Sequence, residues 1–230
     1  MEKLIYLVGG RRGLDVASFR EELLENLGPQ LVRLGARRLT MNVADLDAVY
    51  GPDVAATIPI NDALGVLDAS ISFWLDSIDQ RGPIEERIAS SVERRCGYLV
   101  TESVPIEYPA VDWPRGTRSP GITIVAVFPK PEWISDEDFY DRWHGSHTPL
   151  SLEIHPLTRY LRHTVCRALT PGAPVFRAIV EERVGCLEDL TDEARFYGGP
   201  AGRARVHADL ATFLDGEQCQ SMAMSEYLLS

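Results

Sequence analysis

Residues 134–150 read Ile134-Ser-Asp-Glu-Asp-Phe-Tyr-Asp-Arg-Trp-His-Gly-Ser-His-Thr-Pro-Leu150, and this stretch predicts a short helix that carries two histidines. Ser135 followed by Asp138 resembles a capping box, so we expect the helix to begin at the residue after Ser135. Pro149 disfavours helical backbone before it, so we expect the helix to end near His147.

The aromatic residues of this helix share one face. At about 100° per residue, Trp143 and His147 lie on the side of Phe139, and His144 lies at the edge of that face. His147 is therefore predicted to point into an apolar interior, where an ionisable group requires an explanation.

One order of elements is predicted twice along the chain. Phe19 and Phe139 lie 120 residues apart, as do Pro29 and Pro149, which indicates a duplication. Each half reads strand, helix, strand, strand, helix, strand, the ferredoxin-like order. The predicted strands are 4–8, 37–43, 69–75, 98–106, 122–128, 159–166, 176–184 and 220–228. The predicted helices are 15–27, closed by Gly28-Pro29, then 83–95, 136–147 and 187–197.

We therefore predict an α+β fold made of two tandem ferredoxin-like (β-α-β-β-α-β) halves. Residues 1–107 form the N-terminal half, residues 108–121 a proline-rich linker, and residues 122–230 the C-terminal half that carries the site. Each half leaves one sheet face open. We expect the two halves to pack sheet to sheet as an intrachain α/β barrel around an interior cavity, into which His147 projects.

Charge and composition exclude several kinds of partner. The net charge of −11 argues against nucleic acid and against an anionic membrane as the partner. No apolar run approaches the roughly 18 residues of a membrane span. The four cysteines form no close pair and no export signal is evident, so we expect reduced thiols and a cytoplasmic location.

A family resemblance follows from Phe139-Tyr-x-x-Trp143, His147-Thr-Pro-Leu150 and Leu157-x-x-Tyr160. This pattern resembles the EthD-like branch of the dimeric α/β-barrel superfamily. Residues 122–229 resemble one EthD-like unit, and residues 4–107 resemble a degenerate second copy. Related branches include muconolactone isomerases, polyketide cyclases, quinol-forming monooxygenases and haem-binding proteins. The resemblance implies a barrel whose cavity binds a small, mostly apolar or aromatic compound.

The N-terminal half departs from this pattern. Leu27 stands 120 residues before His147, and Glu22-Leu23 stands where the second half has Arg142-Trp143. We therefore expect one chemically equipped cavity, with the N-terminal half as its structural partner.

Histidines are the first candidates for catalysis. An imidazole titrates near neutral pH, which suits a general acid or base, although His147 could instead cap the C-terminus of its helix. The strand from Tyr160 to Val165 alternates, so either Tyr160 and Arg162 or His163 faces the cavity. The candidate catalytic residues are His147, His163 and His144, and the candidate substrate-binding residues are Tyr160, Arg162, Trp143, Trp74 and Tyr6.

No cofactor is predicted from the sequence. His144 and His147 lack a third metal ligand at a familiar spacing, so no metal site is expected. The turn Gly9-Gly10-Arg11-Arg12-Gly13 lacks the order of a nucleotide-binding loop.

These features favour a cofactor-independent lyase or isomerase that acts by acid/base catalysis on a small aromatic or polyketide-like compound. Dehydration, decarboxylation and elimination all require proton transfer in a dry pocket. In this hypothesis His147 moves the proton, and His163 or the pair Tyr160 and Arg162 stabilises the developing charge. The alternatives are a cofactor-free monooxygenase of hydroquinones, a haem or small-ligand binding protein, and a non-catalytic dimerisation module. A homodimer would have to use helices or strand edges.

Overall fold

The computed structural model describes residues 1–10, 13–55, 61–62, 65–108 and 110–230. Within these ranges eight strands close into one antiparallel barrel in the order β1-β3-β2-β8-β5-β7-β6-β4. The strands are β1 (Glu2–Gly9), β2 (Arg37–Val43), β3 (Ala69–Leu75), β4 (Arg94–Ile106), β5 (Ile122–Phe128), β6 (Leu157–Ala168), β7 (Ala178–Val184) and β8 (Gln220–Leu228). The predicted α+β barrel is thus confirmed, and four of its strands have the predicted bounds. Arg11, Arg12 and Pro109, which belong to the predicted first turn and linker, lie outside the described residues.

The helices lie on the outside of the barrel. In the first half they are α1 (Val16–Glu21), a π-helical segment (Glu22–Leu27), α2 (Gly28–Arg33), α3 (Leu46–Tyr50), α4 (Pro52–Ala55), a 3₁₀ turn (Ile78–Arg81) and α5 (Gly82–Ser91). In the second half they are α6 (Asp136–Tyr140), a second π-helical segment (Asp141–His147), α7 (Thr148–Ile154), α8 (Glu188–Thr191), α9 (Glu193–Tyr197) and α10 (Pro200–Leu210). None of these helices combines the length and the apolar character needed to cross a membrane.

The helix that carries His147 begins as predicted but does not end there. The Ser135 hydroxyl accepts the N–H of Asp138 at 3.0 Å, as a capping residue does. The helix then continues through Pro149 to Ile154, so the expected stop was wrong. A π-helical turn lies before the proline, and the N–H of Thr148 reaches the carbonyl five residues earlier. Pro149 therefore falls in the first turn of α7, where no N–H is required.

In the first half, too, a helix continues through a proline after a π-helical segment. Its π-helical segment ends at Leu27, and α2 begins at Gly28 with Pro29 in its first turn. The helix runs on to Arg33, so Gly28-Pro29 does not close it.

The structure also differs from the prediction at the last predicted helix, residues 187–197. Residues 187–197 form two short helices, and a third, α10, occupies a glycine-rich stretch for which no helix was expected. Gly198 and Gly199 have φ of 68° and 97°, a left-handed conformation that favours glycine, and they separate α9 from α10. Pro200 then begins α10, since proline suits a first helical turn.

Alternating strand residues divide the barrel wall into two faces. The interior holds an apolar cluster that includes Ile5, Tyr98 and Ile179, together with a charged group of Lys3, Glu102 and His163. The outer face of the second half packs instead against its own helices, through Phe128, Phe139, Trp143, Tyr160 and Phe213.

His147 lies on this outer side, within the second half. The expectation that it projects into the barrel between the two halves was therefore wrong. The alternating pattern defines two faces of a strand but does not identify which face the helices cover.

Candidate active site

A cavity of about 270 Å³ lies between the sheet of the C-terminal half and the helices above it. Strands β5 to β8 supply one wall, and the second π-helical segment, α9 and α10 supply the other. Six aromatic side chains line it, namely Phe128, Trp143, Tyr160, Phe196, Tyr197 and Phe213. Such a space suits a small apolar or aromatic compound.

The sheet places one carboxylate in this apolar wall. Glu182 of β7 stands directly opposite Tyr160 of β6 and Ile124 of β5 in the strand register. Within the described residues its carboxylate has no hydrogen-bond or ion-pair partner. Burial raises the pKa of Glu182 from 4.5 to about 7. Glu182 can therefore accept or donate a proton at neutral pH.

Two tyrosines share the cavity wall with this carboxylate. Burial raises the pKa of both Tyr160 and Tyr197, and the charge of Glu182 adds to the rise in each case. The thiol of Cys219 also lines the cavity, and burial followed by the charge of Glu182 raises its pKa to about 11. These three groups stay protonated at neutral pH, and the two phenols are available as hydrogen-bond donors.

His147 is held by hydrogen bonds at both ring nitrogens. Its Nδ1 lies 2.8 Å from Oδ2 of Asp209, on α10, and its Nε2 lies 3.3 Å from Oγ of Ser151. A carboxylate can only accept, so Nδ1–H donates to Asp209 and Nε2 accepts from the Ser151 hydroxyl. Burial lowers the pKa of His147, and Asp209 opposes that change. The neutral ring therefore has a defined tautomer and orientation.

A second imidazole faces the same cavity. His155 Nδ1 lies 2.8 Å from the carbonyl oxygen of Phe196, so Nδ1–H donates and Nε2 carries the lone pair. Its ring stacks on that of Phe196 with centroids 4.3 Å apart. Burial lowers the pKa of His155, although the carbonyl of Phe196 opposes this. His155 is thus a neutral hydrogen-bond acceptor at the cavity wall.

The same segment of the chain matches a known family. Residues 131–217 match the EthD domain. We refer to this matched segment as the EthD domain. The matched segment includes every residue of the cavity described so far except Cys219 and those on β5 and β8. No curated protein sequence matches the chain.

Solved structures with little sequence identity share the whole fold. An anthrone oxidase-like protein is 10% identical over 98% of this chain and 90% of that protein, with a TM-score of 0.56. A proposed monooxygenase from Fusobacterium nucleatum is 6% identical over 100% and 92%, also with a TM-score of 0.56. A dye-decolorizing peroxidase from Bacteroides thetaiotaomicron is 11% identical over 98% and 93%, with a TM-score of 0.51. At such identities the likeness establishes the fold of the barrel that contains the EthD domain.

Three of the predicted site residues meet in the cavity of the EthD domain. His147, Trp143 and Tyr160 all line it. Tyr160 therefore lies on the cavity side of β6, which leaves His163 on the other side.

The other predicted catalytic histidines lie elsewhere. His163 is fully buried inside the barrel, where its Nδ1 donates to the carbonyl of Ile179 at 3.1 Å and its Nε2 lies 2.9 Å from Nζ of Lys3. His144 packs on the rings of Trp143 and Tyr140, with centroids 4.5 and 5.5 Å away. Burial and then the charge of Arg162 lower the pKa of His144 to about 4.

Three predicted substrate-binding residues also lie outside the cavity. Arg162 donates to the hydroxyl of Thr148 at 2.8 Å and is not part of the cavity wall. Tyr6 packs under the helices of the first half, where its hydroxyl donates to Glu85 at 2.8 Å. Trp74 lies on β3 of that half.

Sequence reasoning did not select Glu182, Tyr197, Asp209 or His155 as candidate site residues. A signal for Glu182 was present, because it falls between Val180 and Val184 on one face of a predicted strand. Asp209 had no such signal, since its helix follows two glycines and a proline.

Metal binding finds no support among these groups. In the described parts of the chain, no cluster of three or more His, Cys, Asp or Glu side chains is arranged to hold a metal ion.

Proposed function

We propose that this protein is a cofactor-independent acid/base enzyme, a lyase or isomerase, that acts on a small aromatic or polyketide-like compound in the cavity of its EthD domain. The observation that carries this proposal is Glu182, a carboxylate in an aromatic wall that has no partner among the described residues, and burial raises its pKa to about 7. A base is most effective when its pKa lies near the working pH.

Glu182 is proposed to remove a proton from a carbon or hydroxyl of the substrate. The charge that develops on the substrate oxygen then requires donors, and the hydroxyls of Tyr160 and Tyr197, which line the same cavity, can supply them. Hydrogen bonds aimed at a developing oxyanion in a dry site are among the largest catalytic contributions. The lone pair on Nε2 of His155 can orient a substrate hydroxyl.

His147 is proposed as the second proton-transfer group. Its bond to the Ser151 hydroxyl is long at 3.3 Å, so a substrate hydroxyl can compete for Nε2. Asp209 then stabilises the imidazolium that forms when His147 takes a proton. Each group would return the proton that it removed at a different position on the substrate, Glu182 to carbon and His147 to oxygen, as an isomerisation requires.

The first half is proposed to be a second, inactive ferredoxin-like copy. In both halves the strands follow the order fourth, first, third, second across the sheet, and both have a π-helical segment before the proline. Leu27 is fully buried at the position that corresponds to His147. Such a half can support the barrel but supplies no acid or base there.

The reaction class can be tested without knowing the natural substrate. The probe is 2-tetralone, an aromatic ketone with acidic C–H bonds, and the measurement is its proton-deuterium exchange in D₂O by NMR. We expect the protein to accelerate exchange and the Glu182→Gln variant to lose this acceleration. The exposed Glu132→Gln variant is the control and should behave like the wild type. Full exchange activity in the Glu182→Gln variant would remove the proposed base.

Oxygenation is the second candidate, because the structures that share this fold include an anthrone oxidase-like protein and a proposed monooxygenase. The same deprotonation by Glu182 would give a carbanion that adds to O₂ and takes up a proton to form a hydroperoxide, which then loses water and leaves one oxygen atom as a ketone. Oxygen uptake with a hydroquinone or an anthrone-type substrate distinguishes the two outcomes. A lyase or isomerase forms product at an unchanged rate without oxygen, and a monooxygenase does not.

A further inference from the structure

The cavity of the EthD domain has an unusual distribution of charge. None of the described residues in its wall is lysine or arginine, and its one carboxylate is Glu182. Arg162, on the neighbouring strand, is turned toward the hydroxyl of Thr148. An anion in this cavity would therefore meet no positive side chain.

A carboxylate ligand would pay two costs here. It would leave water for an apolar space without a counter-ion, and an unpaired buried charge is strongly unfavourable. It would also lie beside Glu182, and two carboxylates that share one site repel each other. Enclosure by aromatic rings does not compensate, because the faces of these rings are negative.

A neutral hydroxylated or keto-bearing aromatic compound avoids both costs. Its rings can pack against Phe128, Trp143 and Phe213, and its oxygen can bond to the hydroxyls of Tyr160 and Tyr197. The volume of about 270 Å³ lies just below the usual range for ligand pockets, so it suits two or three fused rings.

We infer that this cavity selects neutral phenolic, enolic or keto aromatic compounds of two or three rings and rejects aromatic carboxylates. The inference rests on the proposed function in that it concerns the same cavity, but its evidence is the composition of the wall. It therefore makes a separate prediction about binding.

The test compares 1-naphthol with 1-naphthoate, which have the same ring system and differ in charge. Binding is measured at pH 7.5 by titration calorimetry. We expect 1-naphthol to bind at least about tenfold more tightly, which corresponds to about 1.4 kcal/mol. Equal or tighter binding of 1-naphthoate would overturn the inference. A result in which neither compound binds would also overturn it.

A pair of variants tests the cause. Leu214 lines the cavity and is partly exposed, so Leu214→Lys can bring a cation to the wall without burying it fully. This variant should bind 1-naphthoate at least about fivefold more tightly than the matched Leu214→Gln variant. An equal affinity in the two variants would show that charge does not control selection. Exchange of 2-tetralone tests the proposed function separately, because that ketone carries no charge.

Discussion

Replacing Glu182 with glutamine should stabilise the folded protein in alkaline solution while removing the proposed base. Burial raises the pKa of Glu182 from 4.5 to about 7 in the folded state. The folded protein then holds this proton more tightly than the unfolded chain does. The resulting stability is fully present below pH 4.5 and is lost as the pH rises through 7. A rise of this size corresponds to about 3 kcal/mol.

Glutamine resembles the protonated side chain and does not titrate. The free energies of unfolding of the variant and the wild type should therefore agree within about 1 kcal/mol at pH 5, and the variant should be more stable by about 3 kcal/mol at pH 8.5. The histidines titrate in both proteins, so their contribution cancels in the difference. A strained or misplaced carboxylate would give a difference that does not depend on pH.

The assay is urea denaturation at pH 5 and pH 8.5, with free energies from linear extrapolation. Glu132→Gln, at an exposed position, should give the same small difference at both pH values. If Glu182→Gln also gives one value at both pH values, then the cavity does not raise the pKa of this carboxylate. The case for Glu182 as a base at neutral pH would then fail.

Three other outcomes follow from single contacts. Asp209→Asn removes the carboxylate that stabilises protonated His147, and steady-state kinetics should show kcat reduced by about tenfold or more with little change in KM. Lys3→Met leaves Glu102 without its cation inside the barrel, so urea denaturation should show a loss of about 3–5 kcal/mol while the exchange activity of the remaining folded protein is kept. Gly202→Ala would bring a methyl group to 1.8 Å from the carbonyl oxygen that ends α9. Because the backbone must move to admit this methyl group, the melting temperature of the variant should be lower than that of the wild type by at least about 3 °C.

The barrel could be predicted because its strands are marked by local patterns. The runs 37–43, 69–75, 122–128 and 220–228 are bounded by turn residues, and each matches an observed strand. The shared face of Phe139, Trp143 and His147 could be predicted for the same reason, because it depends only on helical period. All three are buried in the structure.

The side of the sheet that holds the cavity could not be predicted in this way. A strand pattern separates Tyr160 from His163 but is symmetrical with respect to the two faces. In β7 the sequence Glu181-Glu182-Arg183 places a charge on both faces, so the position of Glu182 between Val180 and Val184 was a weak signal for a carboxylate in the cavity wall. The position of Asp209 depends on the docking of α10 against the second π-helical segment, which is a tertiary contact between distant residues.

Strand pairing identifies which residues of the first half stand at the positions that line the cavity in the second half. Leu4 pairs with Phe73, and Ile124, which lies 120 residues after Leu4, pairs with Glu182. Phe73 is therefore the counterpart of Glu182 in the strand register, and by the same offset Tyr6 is the counterpart of Ala126, which lines the cavity.

In the first half these two positions fill the space beneath the helices. The rings of Tyr6 and Phe73 are fully buried and stack with centroids 5.8 Å apart. In the second half a methyl group and a carboxylate replace two aromatic rings, so the same backbone leaves an open volume with an acid in its wall. Burial of an unpaired carboxylate costs stability, whereas the aromatic pair contributes it. At these two positions the second half therefore has the residues that contribute less to stability. This pattern is expected where a protein gives up stability for catalysis.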